Sequence, residues 1–330
     1  MPSIDPTVFI SPDETVALSL RGQQLVVLDI ASELERTFDL PAPGRLIAGR
    51  AGMFAVIGQG EPVTVTVRAF ERPDEIVASG QLDGSHLAGL NGEVVAGLPP
   101  LIVIGPDVAL VREMRGYEVR RLGSSLPESL TDLEGVPYAA AAPDDRHVLV
   151  CSYRFGREMV TWDVGSGRVA ARIELTGMGV GCGTFRPGRA ELWIAQADTI
   201  ERIDTAASQI IDARRVRNQP TGSFVHAMAF DGDGRSLAVG HSLRHPQPLP
   251  GTEWPWFAPS GGQLLVLDAD EFRVTHRVEV DHWLDGLAWL SDGRVVAHEW
   301  GETGSLRIIT PSPGSYELHE PRRPGEWNWL

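Results

Sequence analysis

One unit recurs along this chain: an apolar run, a turn rich in Pro, Gly or Asp, and a second apolar run. It reads Val8-Phe-Ile-Ser-Pro-Asp-Glu-Thr-Val-Ala-Leu, then Ala140-Ala-Ala-Pro-Asp-Asp-Arg-His-Val-Leu-Val, then Gly183-Thr-Phe-Arg-Pro-Gly-Arg-Ala-Glu-Leu-Trp. Two further copies are Met228-Ala-Phe-Asp-Gly-Asp-Gly-Arg-Ser-Leu-Ala and Ala288-Trp-Leu-Ser-Asp-Gly-Arg-Val-Val-Ala. Turns centred on Pro143, Pro187 and Gly232 are spaced by 44 and 45 residues, and the next, at Asp292, follows after 60. A period near 44 built from short β-branched runs and turn residues is a propeller-blade period; helical repeats would space their apolar residues by 3.6. The stretch from Pro12 to Pro143 holds three such periods, with degenerate copies at Arg45–Ile57 and His86–Ala96. The expected architecture is therefore all-β: a single domain over 1–330, a seven-bladed β-propeller of four-stranded antiparallel blades. Six blades is the alternative count if residues 86–122 divide differently.

Four strands are expected per unit. In the fourth copy they are Tyr138–Ala142, Val148–Cys151, Glu158–Trp162 and Arg168–Glu174. The third and fourth are linked by Asp163-Val-Gly-Ser-Gly, a run of turn residues. The stretch Val160-Thr-Trp-Asp-Val-Gly-Ser-Gly-Arg resembles the WD40 signature, with Trp-Asp closing a third strand. Val26-Val-Leu-Asp-Ile-Ala-Ser and Leu265-Val-Leu-Asp resemble the looser YVTN-type version. The chain is thus similar to a divergent WD40/YVTN-like propeller. The resemblance implies that the links from fourth to first strand, and from second to third strand, share one face, called the top. It implies little about function, because propellers host scaffolds and enzymes alike.

Charge narrows the partners. The chain has 29 Lys+Arg against 44 Asp+Glu, a formal charge of −15. Nucleic acid and anionic membranes need a basic face, so neither is an expected partner. All the basic residues are Arg, which excludes a catalytic or Schiff-base lysine. The two cysteines, Cys151 and Cys182, sit in strand-like runs with no CxxC or His/Cys cluster, so no metal site and no cofactor are expected. Asp144, Asp231, Asp233 and Asp292 read as hairpin-turn residues. The N-terminus lacks the basic and apolar regions of a signal peptide, and no apolar run is long enough to span a bilayer. The expected location is the cytoplasm of a bacterial-type cell.

The long interval is explained by one insertion, His241–Gly262, rich in Pro and carrying Trp254, Trp256 and Phe257. Its prolines lower the entropy cost of ordering it, so it is expected to fold over the top face as a lid or binding surface. Seven of the nine Trp lie beyond residue 250, and six of the nine His lie between His226 and His298. Aligned turns place His226 on a first strand, His241 and Trp300 at the ends of second strands, and His282, Trp283 and Asp285 on the adjoining link.

Two functions follow from different classes. In the first, the top face, capped by the 241–262 segment, binds a protein or peptide. Its contact residues are His245, Trp254, Trp256, Phe257, Trp283, Trp300 and Asn218, with Tyr153 and Arg154 from the fourth copy. In the second, the chain is a small-molecule enzyme of lyase, isomerase or hydrolase type. His226, His241 or His282 is then the general acid/base, oriented by Glu299 or Asp285.

Overall fold

The computed structural model describes residues 8–41, 43–48, 52–58, 62–83, 86–88, 101–105, 108–113, 116–121, 136–141, 147–153, 158–163, 168–175, 182–216, 224–246, 257–299, 304–314 and 316–320. Every regular element among them is a strand. β1 (Phe9–Ile10), β2 (Val16–Arg21), β3 (Gln24–Asp29) and β4 (Leu34–Asp39) form one sheet in chain order. The next sheet has eight strands: β5 (Gly44–Ala48), β6 (Met53–Gly58), β7 (Val63–Ala69), β8 (Ala78–Asp83), β9 (His86–Ala88), β10 (Leu101–Gly105), β11 (Val108–Glu113) and β12 (Gly116–Arg121). Four-stranded sheets then follow. They are β13 (Val136–Ala141), β14 (His147–Tyr153), β15 (Glu158–Asp163) and β16 (Arg168–Glu174), and β17 (Cys182–Phe185), β18 (Glu191–Gln196), β19 (Thr199–Asp204) and β20 (Gln209–Arg215). The third is β21 (Phe224–Phe230), β22 (Ser236–Pro246), β23 (Phe257–Asp268) and β24 (Arg273–Val280), before a three-stranded sheet of β25 (Leu284–Trp289), β26 (Val295–Glu299) and β27 (Ser305–Ile309). The strands expected from the fourth repeat are β13–β16, within two residues at each end.

Two sheets depart from the repeat. In the eight-stranded sheet β9 lies between β8 and β12, joining two repeats edge to edge; Glu118 opposite His86 is its one registered pair with β12. The last sheet has three strands among the described residues, because the chain after β27 leaves the sheet. Pro311 and Pro313 cannot donate to a ladder. Instead the segment straps the outer edge of β24, where the Arg277 N–H donates to the Ser312 carbonyl at 3.1 Å and the Gly314 N–H to Thr275 at 3.0 Å. It then reaches β20, where Arg215 and His319 exchange two backbone bonds of 2.7 and 2.8 Å. Tyr316 and Leu318 pack onto the core beneath, covering two edges that would otherwise be templates for aggregation.

Phe9–Arg172 forms one compact unit and Ile173–Leu330 belongs to another. In the first, alternate residues of β2, β3 and β6 supply Leu18, Leu25, Val27, Phe54 and Val56 to a core between two sheets. In the second, Trp193, Ile200, Leu237, Val239, Leu265 and Leu267 pack the β17–β20 sheet on the β21–β24 sheet. Ala238, Leu264, Leu284, Leu287, Val295 and Ala297 pack the latter on β25–β27. The period-2 alternation of β22 is visible here: Leu237 and Val239 face one neighbour, Ala238 the other.

The interval read from the sequence as a link, His241–Gly262, is strand over most of its described length. β22 runs through His241 to Pro246 and β23 begins at Phe257, with 244–246 paired to 257–259. Strands of 11 and 12 residues make this hairpin an arm beyond its sheet, since β21 begins opposite Ser242 and β24 ends opposite Gly262. Residues 247–256 lie outside the described set.

Candidate functional site

Register places the candidate histidines and acids. Val225 pairs with His241, and a bulge follows that contains His226. Leu284 pairs with Glu299, and a bulge follows that contains Asp285. His226 and Asp285 are thus equivalent, as are His241 and Glu299; the residue matching His241 is Glu299, one position before the Trp300 expected from aligned turns. Bulges re-aim a side chain, and both first strands use one at the same place.

His226 is held on two sides. Its Nε2 lies 2.8 Å from Ser242 Oγ, and its ring stacks on Trp283 with centroids 4.8 Å apart and planes 10° apart. Ser242 Oγ also lies 3.3 Å from the Phe224 carbonyl oxygen, so the hydroxyl bridges the imidazole and the first-strand backbone. Ser242 and His241 are fully buried and Trp283 nearly so.

A second histidine pair lies next door, on β25 and β26. His298 Nδ1 and Asp285 Oδ1 are 2.5 Å apart and both residues are buried. A carboxylate accepting from Nδ1–H fixes the tautomer and leaves Nε2 as an acceptor. Among the described residues Nε2 finds no hydrogen-bond partner. Sequence analysis named Asp285 but passed over His298. The signal was present: His298 follows Val295-Val-Ala in an otherwise apolar run, and a histidine at a core position needs a buried partner.

The other candidates scatter. Glu299 is buried and paired with Arg307 at 2.8 Å. His282 is exposed on the link between β24 and β25. Tyr153, His245 and Phe257 are placed by backbone alone, at the ends of β14, β22 and β23. Arg154, Asn218, Trp254, Trp256 and Trp300 lie outside the described residues. Gln196, Glu201 and Gln263 are further buried polar residues outside the sequence candidates; Gln196 donates to Glu201 at 2.7 Å, and the Gln263 amide oxygen faces Arg277. No group of three or more His, Cys, Asp or Glu among the described residues could hold a metal ion. Asp231 and Asp292 instead accept turn N–H bonds, Asp231 from Arg235 and Ser236 and Asp292 from Arg294. Burial pushes the Cys182 thiol far up, so it is not a nucleophile at neutral pH. A groove of about 270 Å³ lies between β24 and β27, lined by Val278, Val280, Ile308 and Ile309 with Glu279, Asp281 and Arg307.

At the opposite end of the sheets the buried charges of Arg186 and Glu191 are paired. Arg186 is 2 % exposed; its Nε donates to the Gly234 carbonyl at 2.6 Å, Nη1 lies 3.2 Å from Glu191 and Nη2 2.8 Å from Asp270. Arg202 grips Glu191 with two bonds of 3.0 and 2.8 Å and covers the Trp193 ring. Burial alone would raise the Glu191 carboxyl, but the Arg202 and Arg186 bonds outweigh it and hold it below its ordinary value. Asp270 is held low chiefly by its bond to Arg186.

No protein-family model matches this sequence, and no curated protein matches it. Among solved structures the chain is similar to the β-propeller domain of Myceliophteria thermophila Cps50 (Swd1), with a TM-score of 0.63 and 10% identity, covering 94% of this chain and 98% of that one. At that identity the likeness speaks for the fold alone. The fold is a β-propeller, in agreement with the WD40/YVTN-like resemblance of the repeats. Among the described residues no helix is long and apolar enough to cross a membrane.

Proposed function

We propose that this chain is an interaction propeller that binds a protein partner on the face where second strands meet third strands, with the 241–262 arm as its main contact element. The observation that carries this reading is the arm: β22 and β23 outrun the strands beside them, and the sequence between the two strands contains Trp254 and Trp256. Tryptophan is among the residue types enriched at interface hot spots. Proline supports side-chain recognition. Pro259, opposite Arg244, and Pro246, opposite Phe257, have no N–H to give the ladder, so those pairs are the non-hydrogen-bonded ones. Each proline nitrogen then faces the outer edge of its strand, which disfavours strand addition there. The test is the W254A/W256A double variant. Partner capture is lost while the melting temperature moves by no more than about two degrees, as for surface substitutions; undiminished capture sinks the reading.

The Asp285–His298 pair favours a second reading, a small-molecule site with a tautomer-fixed base. On that reading a bound compound of a few hundred daltons is retained by wild type and lost from H298A.

A further inference from the structure

The arm has a seat. Beyond Ser242 and Gly262 it is a two-stranded ribbon, and an isolated ribbon of this kind is at best marginally stable in water. Its direction must therefore be set at its root. Three observations converge there. The root carries a register shift between Ser242 and Arg244, a bulge that bends and twists the ribbon. Gly261 takes φ +63°, and Gly262 lies so close to the link before β25 that a Cβ on it would sit 2.5 Å from the His282 carbonyl oxygen. On the other strand, Ser242 is tied to His226, and His226 lies flat on Trp283. Both strands of the root thus rest on the same three-residue link, Asp281–Trp283, one by backbone contact and one through the imidazole. The sheets are close here as well: a Cβ on Gly240 would sit 2.7 Å from the Leu284 carbonyl oxygen.

We infer that His226 is a positioning residue which, with Ser242 and Trp283, fixes the hairpin arm in one orientation, so that the arm meets its partner already ordered. The inference deepens the interaction reading and rests on it for its purpose, but the seat itself exists without a partner. Ordering before binding removes the entropy cost that a free ribbon would bring to the interface. It also assigns His226 a task different from acid/base chemistry: its Nε2 is engaged by Ser242, and one ring face is covered by indole.

The experiment is amide hydrogen exchange on the full chain, read by mass spectrometry for the amides of 243–245, 257, 258, 260 and 261 against β17–β20 as the internal reference. In S242A and H226A the arm amides exchange about tenfold faster while β17–β20 keeps wild-type protection. W283A does the same, and W283F, which keeps a ring under His226, stays near wild type. Unchanged arm exchange in both S242A and H226A overturns the seat, as does W283F behaving like W283A. Should H226A loosen the whole unit, S242A decides, because it removes one oxygen and no ring. Wild-type arm protection in S242A then overturns the seat, and selective loss supports it. The outcome is independent of W254A/W256A capture, so failure of the seat and failure of the interaction reading are told apart.

Discussion

The two ends of the β17–β24 sheets bury polar groups in opposite ways. At the end of the first-to-second and third-to-fourth strand turns, Arg186 reaches across to Gly234 and Asp270 and shares Glu191 with Arg202. Each of the three guanidinium nitrogens of Arg186 is engaged, and the cluster ties two sheets together. At the arm end the buried groups are neutral or singly paired: Ser242 with His226, His298 with Asp285, Gln196 with Glu201. Saturated ion pairs suit a fixed joint. Sparse hydrogen bonds around imidazoles and an indole hold a geometry while leaving chemistry or surface to spare. The contrast fits a structural joint at one end and, on the interaction reading proposed above, a recognition surface at the other.

The comparison breaks most visibly at Arg186. R186M leaves Glu191 short of a partner and removes the tie to Gly234, so unfolding free energy falls by about 3–5 kcal/mol, measured by chemical denaturation. A loss below about 1 kcal/mol would show that this end is not the joint. G262A tests the tightest approach at the arm root: the added methyl meets a backbone carbonyl, which cannot swing aside, and costs about 1–3 kcal/mol. S242A costs about 1 kcal/mol, the net worth of its hydrogen bonds, with the change confined to the arm.

Acid sharpens the same contrast. The Glu191 carboxyl is held below its ordinary value of 4.5, so the folded state binds its proton less readily than the unfolded chain does. The stability it supplies is present above about pH 4.5 and is lost as the pH falls through the folded value. E191Q therefore flattens the acid limb of the stability curve, measured by denaturation at a series of pH values. H298A, at the other end, leaves that limb in place.

The fold was legible because the repeat is written in turn residues and β-branched runs, which act locally. Pro187, Gly232 and Asp292 mark hairpin turns, and the strands flanking them follow by alternation. The site was legible only in part. His226, Trp283, Asp285 and Glu299 were singled out by type and position, and the structure places them at one end of neighbouring sheets. Their pairings were hidden, because each depends on register: one bulge puts His226 beside Ser242, and another puts Asp285 beside His298. The arm was read as a link because it fills the long interval between a second and a third strand, yet two of its prolines, Pro246 and Pro259, lie in strands whose outer edges need no donor. Arg186 was invisible for a different reason: its partners Gly234 and Asp270 are 48 and 84 residues away.

Native mass spectrometry of the protein gently purified from its own source tests the central claim most directly. The account expects an added mass of kilodaltons on wild type, a protein partner, that is absent from W254A/W256A. A few hundred daltons retained by that double variant, and lost from H298A, would contradict it and give the arm end to a small molecule.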